Sequence, residues 1–262
     1  MILHPNDMHI VYAVIRAAGN FAIPDQNKSI LVSSDIVSHA GAYLAPEHDV
    51  KSPIQSGVLV LLKNLISSSS KPFVALELLG CLSDTSKNVL EPLEDLWHRT
   101  DDTTTQLRIA RIYVALLRSV FGSDKGEESM HRLAEESAML STKLDAAYKH
   151  AEGKLCCPPV VKALCHLLCH SQQHTVLQNE GLLIRSTYAD AFIAETIFQV
   201  SSSPPRGMFA CVIEALLYIF GTAPAQVASN AYVLWLLLEK DERVSEWRAR
   251  IEDALSKCAH QM

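Results

Sequence analysis

Apolar residues recur at three- and four-residue steps along nearly the whole chain, a period that builds helices and leaves little room for strands. Phe209, Val212, Ile213, Leu216, Leu217 and Phe220 form one such face. Val58, Leu61, Leu62 and Leu65 form another, and Ile109, Ile112, Tyr113, Leu116, Leu117 and Val120 a third. The β-branched residues sit inside these patterns, and no Asn-Gly dipeptide offers a tight hairpin, so no strand is predicted. The expected fold class is all-α.

Prolines and polar breaks divide the pattern. Ser52-Pro53 followed by Gln55 offers a cap, a proline in the first turn and a capping box, and Thr103 with Gln106 offers a second box. Lys71-Pro72, Pro158-Pro159, Pro204-Pro205 and Pro224 each open a further apolar stretch. The resulting helices are predicted at 7–18, 29–45, 54–66, 72–83, 86–98, 103–121, 127–152, 158–170, 186–201, 206–220, 225–239 and 241–259. The breaks between them are shorter than domain linkers, so residues 1–262 are read as a single domain. The run Ala231 to Leu238 has no polar face and is expected to be covered by neighbours on several sides.

Composition limits the function classes. The chain of 262 residues is 48% hydrophobic and 20% charged, the balance of a folded protein. Its net charge of −6 comes without a basic stripe, which disfavours nucleic acid as a partner. The nearest approach to such a stripe, Arg108, Arg111 and Arg118, reads as a solvated helix face. No apolar run reaches the roughly 18 residues of a membrane span; Met208 to Phe220 carries Glu214 in its middle. Seven cysteines, an odd number, lie partly inside apolar helical runs, and Met1 to Asp7 lacks the pattern of a secretory signal. A reducing compartment, cytoplasm or nucleus, is therefore expected.

The stretch from Gln55 to Leu65, a break at Ser67 to Ser70, and the run Pro72 to Ser83 resemble an armadillo repeat. They read as a Gly-led helix ending in a Leu-Leu pair, a polar turn, and a longer Ala/Leu-rich helix. A looser copy runs from Pro158 through Asn179-Glu180-Gly181 to Ser201. The resemblance implies an α-solenoid of the armadillo/HEAT kind, about a dozen stacked helices, with a general role in binding proteins. Peptide-binding armadillo proteins present a tryptophan and an asparagine one turn apart on the third helix of each repeat. The matching positions here are Glu77 and Cys81 in the first copy, Glu195 and Gln199 in the second. Recognition of basic import peptides is accordingly not carried over.

Two local patterns stand out. Cys156-Cys157 is followed by Cys165, His166, Cys169 and His170, soft ligands one helical turn apart on adjacent faces. A structural zinc site draws a second pair from another segment, and none is evident, so buried structural cysteines are preferred over a metal or haem. No cofactor and no metal are expected. In the predicted helix 127–152, Met130, Leu133, Ser137, Leu140, Leu144, Ala147 and Ala151 are spaced as a heptad seam among charged residues. The plain reading of that seam is a helix laid along the body of the protein. The alternative makes Met130, Leu133, Leu140 and Leu144 a contact for a partner or for a second copy, giving a homodimer.

Enzymatic signatures do not appear. The 10 glycines form neither a phosphate-binding loop nor a dinucleotide fingerprint, and His-Glu-x-x-His and Gly-x-Ser-x-Gly are missing. Asp101-Asp102 and Glu127-Glu128 fall at helix starts, where carboxylates favour the positive dipole end. Glu77, Glu195 and Glu214 read as the wet edges of apolar helices. The expected function is a non-enzymatic scaffold or adaptor that binds a protein through a solenoid groove and the 127–152 helix. The alternative is a structural subunit of a larger helical-repeat assembly; a small all-α hydrolase or transferase ranks below both.

Overall fold

A computed structural model of the chain describes residues 8–34, 36–67, 72–82, 88–121, 138–170, 175–182, 197 and 208–259. Every regular element among the described residues is helical: thirteen α-helices and a few 3-10 turns, with no strand. The chain forms two compact units, Met1–Leu155 and Cys156–Met262.

The first unit contains α1 (Met8–Phe21), α2 (Asp25–Ser33) and α3 (Ile36–Gly41), then two 3-10 turns, Ala42–Leu44 and Pro46–Lys51. After them come α4 (Ser52–Ile66), α5 (Pro72–Leu78), α6 (Leu90–Arg99), α7 (Thr103–Phe121) and α8 (Ala138–Leu155). Helix α4 is central: α1 packs on one side of it and α7 on another. The α4 stripe read from the sequence, Val58, Leu61, Leu62 and Leu65, is buried, and Leu59 and Ile66 join it. Each such side chain contributes about 1.5–3 kcal/mol on leaving water. On α7, Ile109, Ile112, Tyr113, Leu116, Leu117 and Val120 are likewise buried. Helix α2 packs on α5, and α8 packs on α7 and α5.

Polar side chains tie these helices at their ends. Asn64 Nδ2 donates to the Gly19 carbonyl at 3.0 Å, joining α4 to α1 where the backbones come close. Lys28, 0% exposed, donates to the Ser67 carbonyl just past the end of α4 and pairs with Asp25 Oδ1 at 3.0 Å. Its charge thus lies at the negative end of the α4 dipole. Arg99 on α6 binds Asp49, the Leu44 carbonyl and Asp95, drawing the 3-10 segment onto α6. The Arg99 guanidinium and then the Gln55 amide hold the Asp49 carboxyl below the usual carboxylate range.

Several expected boundaries move. The predicted helix 29–45 is two helices, α2 and α3, followed by a 3-10 turn; Ser34 N–H closes α2 onto the Ile30 and Leu31 carbonyls. The predicted 72–83 helix stops at Leu78, so the second helix of the armadillo-like copy is the shorter of the pair, not the longer. Gly80 ends it at φ 63°, a left-handed conformation glycine adopts without cost. Gly80 N–H bonds the Glu77 carbonyl at 2.9 Å and Cys81 N–H bonds the Leu76 carbonyl at 2.9 Å, which is a Schellman stop. The second expected capping box does not form as read, since Thr103 is the first residue of α7 and not its cap. Gln55 reaches Asp49 at 3.1 Å, and α7 is capped by Asp102, which accepts from Thr105 N–H at 2.9 Å while Gln106 bonds the Thr100 carbonyl.

The second unit contains α9 (Pro158–His170), α10 (Thr175–Gly181), α11 (Met208–Thr222), α12 (Ala225–Leu238), a 3-10 turn (Glu242–Val244) and α13 (Ser245–Ala259). Helix α9 packs on α10 and α11, and α11 also packs on α12 and α13. Helix α10 is not among the expected helices; it lies between the expected helices 158–170 and 186–201. The expected 186–201 helix lies outside the described residues, apart from Ile197, which is helical and buried. At Gly181 an added Cβ would stand 2.9 Å from Leu168 N, so α10 meets α9 backbone to side-chain base. Asn230 Nδ2 donates to Asn179 Oδ1 at 2.8 Å, linking α12 to α10.

Candidate functional site

Of the four seam residues singled out in the sequence, Met130 and Leu133 lie outside the described residues. Leu140 is in the opening turns of α8, and Leu144 follows one turn later, half-buried. Further along, Ala147, Tyr148, Ala151 and Leu155 are buried, where α8 meets α7 and α5. Of the seam, Ala147 and Ala151 are thus packing within the first unit. Lys154 on the same helix donates to the Leu79 carbonyl at the Schellman stop of α5.

The cysteine and histidine pattern is spread over α9 and its approach. Cys165 is buried, and burial pushes its thiol up to about 12. The half-buried Cys169 is pushed up by burial and then by its neighbours Cys165, Cys211 and Glu214. His166 and His170 stack with ring centroids 3.9 Å apart, and His170 Nδ1 lies 3.1 Å from the His166 carbonyl. Burial lowers His166 to about 4, with the neighbouring His170 charge acting the same way. The histidines stack on each other, and Cys169 lies near Cys211 and Glu214 of α11. Among the described residues, no group of three His, Cys, Asp or Glu side chains is arranged to hold a metal ion.

The armadillo ladder positions give no joint surface. Glu77 and Cys81 are half-buried at the end of α5, while Glu195 and Gln199 lie outside the described residues. Of the arginines on α7, Arg108 is half-buried and donates to Ser56 Oγ of α4, a link between helices rather than a solvated stripe. Arg118 is exposed and Arg111 half-buried. Among the carboxylates, Glu77 belongs to the first unit and Glu214 to the second.

The surface that sequence reasoning missed is on α12. Ala231, Leu234, Trp235, Leu237 and Leu238 are buried as expected, but Tyr232, Val233 and Leu236 are 42%, 40% and 36% exposed. The run Ala231 to Leu238 is therefore covered on one side and open on the other, which corrects the expectation of an all-round buried helix. Ser229, one turn earlier on the open face, is exposed too. Apolar composition alone cannot distinguish a helix packed on all sides from one with an uncovered face. The first unit has exposed apolar residues of its own: Ile10 and Phe21 on α1, Ile23 in the following turn and Ile30 on α2.

No family model, curated protein or solved structure matches this chain. No helix among the described residues is long and apolar enough to cross a membrane.

Proposed function

We propose that this chain is a non-enzymatic scaffold or adaptor, an α-solenoid of the armadillo/HEAT kind that binds a protein partner. The observation that carries the proposal is the open face of α12, where Tyr232, Val233 and Leu236 present adjacent apolar side chains to solvent. Contiguous exposed apolar surface is costly to leave in water, and a partner's surface is one way to cover it. Tyr232 adds an aromatic ring with a polar end, a residue type enriched at interfaces.

The solenoid part of the reading is supported by the first unit. There α1 packs on α4 and α4 on α7, while α2 packs on α5, so helices meet their counterparts three elements on. Helices α1, α4 and α7 start at Met8, Ser52 and Thr103, steps of 44 and 51 residues. Armadillo and HEAT repeats have periods of about 40–47 residues, so the first step fits and the second is longer. A reducing setting, cytoplasm or nucleus, fits seven cysteines that are all free of disulfides.

The test is chemical cross-linking with mass-spectrometric identification on the full chain and on a Tyr232→Lys, Leu236→Lys variant. Both should give the same circular dichroism spectrum, because the substituted side chains are exposed. Proteins cross-linked by the wild type and lost in the variant would locate partner binding on α12. An unchanged set would remove α12 from the proposal.

A second reading, a structural subunit of a larger helical-repeat assembly, is favoured by Ile10 and Phe21 on the open side of α1. It calls for a stoichiometric complex that survives size-exclusion chromatography, where an adaptor exchanges its partners.

A further inference from the structure

Seven cysteines are present and none is in a disulfide, yet their surroundings differ sharply. Cys165 and Cys258 are buried, and Cys81, Cys169 and Cys211 are half-buried on helices or at a helix end. Burial raises the thiols of Cys81, Cys165 and Cys169, which keeps them protonated and slow as nucleophiles. Cys156 is exposed and Cys157 half-buried, in the two-residue connection between Leu155 at the end of α8 and Pro158 at the start of α9. Being adjacent in the chain, they can be joined by one disulfide into an eight-membered ring.

We propose that Cys156 and Cys157 form a redox-responsive dithiol, closed to a vicinal disulfide by a low-molecular-weight disulfide and reopened by a thiol reductant. The exposed Cys156 thiolate attacks one sulfur of the reagent, forming a mixed disulfide and releasing one reagent thiolate. The Cys157 thiolate then attacks the Cys156 sulfur, closing the ring and releasing the second. Two protein thiols lose two protons and two electrons, and the reagent disulfide becomes two thiols.

The position of the pair makes the second step reversible. The Cys157 carbonyl accepts the Val161 N–H at 3.4 Å, so Cys157 stands at the N-terminal end of the 13-residue α9. Adjacent Cα atoms are about 3.8 Å apart across a trans peptide. Ordinary disulfides hold theirs about 4.4–6.8 Å apart, so this ring closes under strain. Strained disulfides are the readily reduced ones, which suits a switch and not a permanent staple. The same strain falls on the first turn of α9, through the Cys157 carbonyl.

The full chain would be incubated with glutathione disulfide, alkylated with iodoacetamide and digested with trypsin. Cleavage after Lys154 and Lys162 isolates a peptide, residues 155–162, with Cys156 and Cys157 as its two cysteines. The expected peptide lacks two hydrogens, carries neither alkyl group nor glutathione, and returns to the dialkylated form after dithiothreitol. A Cys157→Ser variant is expected to hold glutathione on Cys156 as a stable mixed disulfide. The proposal is overturned if the wild type stops at that mixed disulfide, if the peptide is cross-linked to one containing Cys165, Cys169 or Cys211, or if both thiols stay alkylated throughout.

Discussion

Arg99 has three partners on two segments, and its removal should loosen the 3-10 turns from α6. Arg99→Ala is expected to destabilise the chain by about 1 kcal/mol at neutral pH, the scale of one exposed ion pair plus a bond to the Leu44 carbonyl. Because Arg99 and Gln55 depress the Asp49 carboxyl, that ion-pair contribution is present above the ordinary aspartate value of 3.8 and fades as pH falls through the lower folded value. Urea unfolding of wild type and variant should therefore converge in strong acid. His166 is the opposite kind of group, a base kept neutral by burial. Its folded value of about 4 against an ordinary 6.5 means that the unfolded chain binds the proton first as pH falls. Stability is then lost between pH 6.5 and 4, and a His166→Gln variant should show a flatter pH profile over that interval, read as the urea midpoint. A third residue-scale contribution is the Asp102 cap, which accepts from both the N–H and the hydroxyl of Thr105. Asp102→Ala should cost about 1 kcal/mol.

At the scale of elements, close helix contact decides what a glycine position tolerates. Gly153→Ala on α8 meets nothing within 4 Å and should stabilise the helix by about 0.5–1 kcal/mol. Gly181→Ala at the end of α10 would press a methyl onto the backbone of Leu168 at 2.9–3.0 Å, which cannot move away cheaply. A loss of about 1–3 kcal/mol is expected there, and thermal unfolding of the two variants should shift in opposite directions. The predicted helix at 29–45 illustrates what periodicity misses at this scale: its apolar residues continue in step, while the break at Ser34 depends on hydrogen bonds that the sequence pattern does not encode. Helix α10 was missed for a different reason: seven residues are too few for the period to stand out, and the element is held by its packing on α9.

For the whole molecule, the quantity that separates the readings is its mass in solution. Light scattering on the wild type and on a Leu140→Glu, Leu144→Glu variant tests the seam. Leu144 is half-buried in the first half of α8, so the expected result is that the substitutions lower stability and leave the mass equal to that of the wild type. A wild-type dimer converted to a folded monomer would instead assign self-association to that helix. The open face of α12 belongs to the same question, since a second copy would cover it as well as another protein would; the Tyr232→Lys, Leu236→Lys variant would then change the mass.

The sequence by itself determined that the chain is helical, and it determined which faces of α4 and α7 turn inward and most of the one on α11, because a 3.6-residue period has one buried stripe whatever the neighbour. It also located the helix starts at Pro72, Pro158 and Ala225, since proline acts within a single turn. Tertiary structure alone decided which stripes meet and which stay open. Lys28 is buried because the end of α4 lies within its reach, and Gln55 turns to Asp49 because the 3-10 segment brings that carboxylate there. Tyr232 and Leu236 are exposed while Leu234 and Trp235, equally apolar, are buried. That difference depends on where α11 and α10 lie against α12, and contacts between distant segments leave no period in the sequence for a reader to find.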